Sequence, residues 1–392
     1  MYPWPSCQMT SFLTRTGADK KEEDNGTLQG GRRSGLPPWT PFPYVPSGVG
    51  CVRSRNVQPS PHTATNEVAE ARVKHIAAYL GPGLIAATLV VVAVAAEPPD
   101  GKAPQAVRLK ENPIIGPELS PTIGKNINGP SLIRAPEWLE KPLGKYYLYF
   151  ADHGGKFIRL AYADRLEGPW KIHEPGTLRL EETACKGHIA SPDVRVDNDK
   201  REIRMYFHGL AKGKQLSFLA TSKDGLKFTA GREPLGPFYF RVFQWRGWWY
   251  AVAKEGVLLR SKDGVAKFEE GPRLFKFDDP SLVVRHSAVL LEGDRLRVFF
   301  SRIGDAPESI LISTVNLTED WTKWRASEPQ TVLAPQESYE GAEFPLAPSR
   351  SGPAPGRVRQ LRDPGIFQEA GKTWLLYSVA GESGIAMAEL RM

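Results

Sequence analysis

Cysteine is nearly missing from this 392-residue chain: there are three, and two of them, Cys7 and Cys51, fall in the first sixty residues. The one left further on, Cys185, has no partner nearby, so an intradomain disulfide and a cysteine-based metal site are both excluded there. A basic run is also missing. Lys and Arg outnumber Asp and Glu by 51 to 44, and the surplus is spread thinly: nine against six before residue 97, 42 against 38 after it. That argues against nucleic acid as a partner. From about Gln105 onward, stretches of helical period are almost absent. No pair or triplet of residues shows metal-ligand spacing, since Lys186-Gly187-His188 is too short. No cofactor is therefore expected, although a single cation held in a funnel by carboxylates and carbonyls stays open.

The one long apolar run, IAAYLGPGLIAATLVVVAVAA from Ile76 to Ala96, follows Arg72, Lys74 and His75 and ends with Ala93 and Ala95 in an A-x-A arrangement. A basic flank, an apolar core and small residues at a cleavage point are the parts of a secretory signal. A length of ~20 apolar residues also suits a membrane anchor, although Gly81-Pro82-Gly83 interrupts it. The expectation is export, with membrane attachment only if the segment is not cleaved. The preceding 1–75 are rich in Pro, Gly, Ser, Arg and Thr without period, and read as a disordered extension. Initiation at a non-Met codon near Val68 or Val73 would give a signal of ordinary length.

What the chain has in abundance is turns and short strands, with 37 glycines and 34 prolines. Five segments repeat one order of parts. They begin NGPSLIR at Asn128, SPDVRV at Ser191, FYFRVF at Phe238, RHSAVLL at Arg285 and RDPGIF at Arg362. Each continues through a turn into a middle strand (YYLYF, MYF, WWYAV, RVFF, WLLYS) and then a third strand (LAYA, FLATS, VLLRS, ILIST, IAMAE). Four of the five close on an aromatic: Trp170, Phe228, Phe268 and Trp324. Repeats of three or four short strands that cannot bury both faces alone indicate the blades of a β-propeller. The fold expected for residues 97–392 is therefore all-β, a five-bladed β-propeller with a central funnel. The fifth repeat lacks an outer strand, which QAVRLKENPIIG near Gln105 supplies by closing the ring.

Innermost strands converge on a propeller axis, so residues at their entry points face one another whatever their spacing in sequence. These positions are Asn128; His188 and Asp193; Tyr239 and Arg241; Arg285 and His286; Arg362 and Asp363. The insertion QESYEGAEFPLAPS before the fifth blade adds Glu337, Glu340 and Glu343. Paired carboxyls from separate blades suit acid/base cleavage of a glycoside, and arginines grip anions bidentately. A carbohydrate ligand is expected, with Arg241, Arg285 and Arg362 favouring one that carries carboxylate or sulfate. Each position also has a bland alternative. Asp363 before Pro364 suits a turn cap, the histidines suit hydrogen-bonded funnel walls, and the S-K-D-G runs at Ser222 and Ser261 suit Asp-Gly hairpin turns.

On the strand entries NGPSLI, SPDVRV and RDPGIF and the YYLYF-type middle strands, the chain resembles the five-bladed propellers of the family-43 glycoside hydrolases and the related fructan-cleaving and phosphorylase families. The resemblance covers about residues 105–392. It implies a base aspartate in the first blade, a modulating aspartate in the second and an acid glutamate in the third. Only the second is matched, by Asp193; Asn128 or Ser131 and Tyr239 with Arg241 stand at the other two. The first reading is an exported glycoside hydrolase in which Asp193 and Asp363 act with Glu340 or Glu343 as a rearranged catalytic set; the alternative is a funnel that binds glycans and no longer cleaves them.

Overall fold

The computed structural model describes residues 102–392; the expected extension and the signal or anchor segment lie outside the described residues. Five antiparallel sheets form the blades. From the axis outward, blade 1 comprises Asn128–Arg134, Tyr146–Ala151, Phe157–Ala163 and Lys171–Ile172; blade 2 comprises Lys186–Asp197, Glu202–Ala211, Lys214–Ser222 and Thr229–Ala230. Blade 3 is Arg241–Trp245, Trp248–Val252, Val257–Ser261 and Glu269–Arg273, and blade 4 is Val283–Glu292, Arg295–Ile303, Ile310–Asn316 and Gln330–Leu333. Blade 5 takes Arg362–Glu369, Lys372–Ser378 and Ile385–Arg391 from the C-terminal part of the chain, and its outer strand, Gln105–Arg108, from before blade 1. That strand pairs antiparallel with Ile385–Arg391, Gln105 opposite Arg391 and Arg108 opposite Ala388, which is the ring closure expected from the repeat.

The middle strands are covered on both faces, which is why they are almost continuously apolar. All six residues of Tyr146–Ala151 are buried. The hydrophobic clusters lie between blades: Tyr147, Tyr149 and Ile158 of blade 1 pack with Val194, Met205 and Phe207 of blade 2, and similar clusters join blades 2 and 3, 3 and 4, 4 and 5 and 5 and 1. The closing aromatics belong to this packing. Phe228 meets Tyr149 edge-on at 5.8 Å, Phe268 meets Phe240 at 5.0 Å and Trp324 lies 4.9 Å from Tyr250.

The S-K-D-G segments are turns, and each also receives a buried tyrosine from the preceding blade. Asp224 Oδ1 accepts the N–H groups of Leu226 and Lys227, and Gly225 has φ +74°. Tyr149 of blade 1 donates to the Gly225 carbonyl and Tyr206 of blade 2 to the Gly264 carbonyl, both at 2.8 Å. The glycine gives the turn its left-handed residue, and its carbonyl anchors the neighbouring blade.

Candidate ligand site at the propeller mouth

Each innermost strand starts at one face of the ring, and in four blades it does so through a β-bulge. A bulge places two residues opposite one and re-aims side chains. Here it lies at the entry residues of blades 1, 2, 4 and 5, while the blade 3 strand begins after Tyr239 in unbroken register. Gly129, Ser191, Tyr239 and Asp363 occupy matching positions with φ between +50° and +67°. Only the first is a glycine, so the other three each hold a conformation that costs a non-glycine residue about 1–2 kcal/mol. Non-glycine strain of this kind collects where a side chain must point one way. The Pro after Gly129, Ser191 and Asp363 lacks the N–H that the bulge would otherwise leave unpaired. This explains an aspartate before proline at a hairpin entry: Asp363 is 1% exposed and faces the axis, not solvent.

At the mouth lies a cavity of about 20 Å³, room for one water, lined by His153, His188, His208 and His286 with Asn128, Gln215 and Tyr239 between them. The Tyr239 ring is wedged between two of the imidazoles, 4.5 Å from His208 and 3.9 Å from His286. His286 Nδ1 contacts Asp363 Oδ1 directly, and Ser378 Oγ donates to Asp363 Oδ2 at 3.1 Å. His286 Nε2, His208 Nδ1 and Gln215 Oε1 are buried with no partner in the structure. Among the described residues no group of three His, Cys, Asp or Glu side chains is arranged to hold a metal ion.

Behind the histidines is a buried ionic chain. Glu308 accepts from Arg285 at 2.7 and 3.1 Å and from Ser301 at 2.8 Å, and it lies 3.3 Å from Arg362. Arg362 continues to Glu382 at 2.9 Å and to Gln360 at 2.6 Å. Glu382 accepts from Asn126 at 2.7 Å and stands 3.4 Å from His153 Nδ1. Arg285 and Arg362 both donate to the Gly352 carbonyl of the insertion before blade 5. Two arginines and two glutamates therefore neutralise one another in a dry site, where a charge is tolerated only if paired.

The protonation states follow from these neighbours. Burial, with Arg241 and Arg285, pushes His286 down to about 4, against the upward pull of Asp363. Burial and the other imidazoles put His208 well below the ordinary histidine value. For Asp363 burial acts upward, but His286, Arg362 and Arg285 outweigh it and hold the carboxyl well below the usual range. For Glu382 burial likewise acts upward, and hydrogen bonding with His153 together with the Arg362 charge leaves it lowered. Burial, then Arg285, brings Lys254 to about 8. At neutral pH the mouth thus combines neutral His208 and His286 with ionised, pinned Asp363 and Glu382.

Of the residues singled out in sequence, Asn128, His188, Tyr239 and His286 line this cavity. Asp363, Arg285 and Arg362 stand directly behind it. Asp193 and Arg241 sit together further down the axis, where Asp193 accepts the Val242 N–H at 2.8 Å and Arg195 at 3.1 Å. Glu340 is elsewhere. It is fully buried, but against Arg108 (2.8 Å) and the Tyr377 hydroxyl (2.9 Å), and its carboxylate caps the N–H groups of Gln336 and Glu337. Glu343 is half exposed, 3.8 Å from Arg357, and Glu337 begins the short 3-10 turn that Glu340 caps. The insertion's acids therefore do not join Asp363, because its short turn spends them on local caps and on the strand that closes the ring. His153, His208, Glu308 and Glu382 were missed. Three of these, His153, Glu308 and Glu382, come from the loops between second and third strands (ADHGGK, IGDAPES, VAGESG), which return to the same face as the innermost-strand entries. Charged residues recurring in those loops are the signal.

No family model matches the chain. "Uncharacterized protein R118" of Acanthamoeba polyphaga mimivirus is 39% identical over 297 residues, covering 68% of this chain and 83% of that protein. Among solved structures, one described as "The GH130 family of mannoside phosphorylases contains glycoside hydrolases that target beta-1,2 mannosidic linkages in Candida mannan" superposes with a TM-score of 0.54 at 14% identity, over 74% of this chain and 95% of that one. A putative glycoside hydrolase from Parabacteroides distasonis gives 0.51 at 13%, over 74% and 97%. At such identity the likeness is one of fold: the five-bladed propeller of glycoside-hydrolase type.

Proposed function

The chain belongs to one family with the uncharacterized mimivirus protein, and from that premise we propose that it is a carbohydrate-binding propeller of glycosidase fold that does not cleave glycosides through a carboxyl pair. The observation that carries this is the state of the acids at the mouth. Glycoside hydrolysis through two carboxyl groups needs one held protonated as the acid. Asp363 and Glu382 are both shifted downward and pinned, by His286 and Arg362 respectively. Glu308 is gripped by Arg285, with Arg362 at 3.3 Å. At Asn128 or Ser131, where the resemblance to the family-43 propellers implies a base aspartate, there is only an amide or a hydroxyl. Three buried polar atoms without a partner, His286 Nε2, His208 Nδ1 and Gln215 Oε1, surround a cavity of one-water size and suit a single hydroxyl group reaching in from a sugar held at the mouth.

The same reading takes the ligand to be neutral, because Arg285 and Arg362 are spent on Glu308 and Glu382. It also takes the protein to be exported, on the strength of the apolar run Ile76–Ala96. The test is calorimetric binding of neutral, uronate-containing and sulfated oligosaccharides to the full chain, with product analysis alongside. Saturable binding of a neutral glycan without release of reducing ends supports the proposal. Steady turnover lost in Asp363→Asn refutes it.

A further inference from the structure

The mouth is not the roomiest part of the axis. Where the five innermost strands end, on the opposite face, the channel opens into a cup of about 480 Å³, within the ~300–1,000 Å³ typical of small-molecule sites. Its lining is mixed: Val289, Leu291 and Ile366 supply apolar surface, and Gln244 and Gln368 stand among them at the ends of the innermost strands. The ionisable groups in the lining are two arginines, Arg134 and Arg195. They stand on adjacent innermost strands, which are joined where the Val194 N–H donates to Ser131 Oγ at 2.8 Å; Arg134 reaches toward Glu369 of blade 5, and Arg195 stays beside Asp193.

Both arginines have an acid neighbour, but each acid is shared and turned away from the cup. Asp193, 3.1 Å from Arg195, also accepts the Val242 N–H above it. Glu369, 3.0 Å from Arg134, also accepts the Tyr146 hydroxyl and lies 3.7 Å from Lys145. A guanidinium has five N–H donors, and these contacts use only some of them. The side chains are 51% exposed for Arg134 and 38% for Arg195, so the remaining donors are accessible. The cup therefore offers an open recess with an apolar patch, two exposed guanidinium groups and no anionic group in its lining.

We propose that this cup is a second ligand site, separate from the mouth, for an amphipathic organic anion: an apolar body seated against Val289, Leu291 and Ile366, and one carboxylate or sulfonate head held by Arg195 and Arg134. The wall supplies affinity by removing apolar surface from water, and the charge-assisted hydrogen bonds at the rim select the anion. No group in the cup is placed for bond cleavage, so the site binds without chemistry.

Anilinonaphthalene sulfonate is a suitable probe, since it brightens in apolar surroundings and is far too large for the mouth cavity. Titration of the full folded chain should show one saturable site. Arg134→Gln with Arg195→Gln should weaken it about tenfold or more, as loss of charge-assisted hydrogen bonds implies, and Leu291→Trp, which narrows the apolar side of the cup, should weaken it as well. The uncharged analogue N-phenylnaphthylamine should bind at least about tenfold more weakly. Thermal melts of both variants keep loss of the site distinct from loss of the fold, and the arginine pair, being at the exposed rim, tests the proposal even if the tryptophan variant misfolds. Absence of a saturable site, equal affinity for the uncharged analogue, or indifference to the arginine pair would overturn the proposal.

Discussion

Substituting Glu308 by Gln tests whether the mouth's arginines are held by the protein or free for a ligand. Glu308 is fully buried, accepts two hydrogen bonds from Arg285 and one from Ser301, and lies 3.3 Å from Arg362. The amide keeps the shape and removes the charge, leaving Arg285 and Arg362 with Glu382 as their remaining glutamate. Breaking one side of a buried ionic cluster typically costs about 3–5 kcal/mol, because the surviving charge keeps its desolvation penalty. Against a usual total stability of about 5–15 kcal/mol that is a large share. At about 2–3 °C per kcal/mol for a domain of this size, the melting temperature should fall by roughly 6–15 °C. Scanning calorimetry of Glu308→Gln beside Glu319→Gln, whose side chain is 94% exposed, separates this from a generic loss of charge, since exposed pairs contribute little. A loss below about 1 kcal/mol would refute the reasoning. Arg285 and Arg362 would then count as available, and an anionic ligand at the mouth would again be the better reading.

Other outcomes follow from the same contacts. Arg108→Ala strips the charge partner from fully buried Glu340 and weakens the strand that closes the ring; a loss of about 3 kcal/mol or more is expected in urea unfolding. Tyr149→Phe and Tyr206→Phe should each cost about 0.5–1.5 kcal/mol by freeing the Gly225 and Gly264 carbonyls. Since they join different blade pairs, their effects should add in the double variant. Acid should destabilise the fold in a defined window. His286 is lowered to about 4 when folded and rises to its ordinary value near 6.5 when unfolded, so the unfolded state binds the proton first and stability falls as pH drops from about 6.5 toward 4. Asp363, also lowered, adds a loss in the same direction below about pH 4. His286→Gln should flatten the upper part of that slope in urea melts taken at a series of pH values.

The architecture was legible because a blade is a local object. The order of entry, middle and third strands repeats in all five copies and a closing aromatic in four of them, and the missing outer strand of the fifth copy pointed to its replacement near Gln105. The entry region was legible for the same reason, since Asn128, Tyr239, His286 and Asp363 stand at or beside the start of the innermost strand in their repeats. Partner choice was not legible. Whether Arg362 faces a ligand or Glu308 depends on a loop of blade 4 meeting an entry residue of blade 5, and nothing local records that meeting. Glu340 shows the converse. It sits in an acidic loop that reads as site-like, but a short 3-10 turn directs it to Arg108, 232 residues away in sequence.

The central claim is that the mouth recognises carbohydrate without a working carboxyl pair. It is tested most directly by incubating the full chain with a broad panel of neutral and anionic oligosaccharides, measuring binding and released reducing ends in the same samples. The account predicts saturable binding of at least one neutral glycan, weakened by His188→Ala with Gln215→Ala at the rim, and no products. Release of sugar that persists in the rim variant but disappears in Asp363→Asn or Glu382→Gln would contradict it and show a catalytic pair at work.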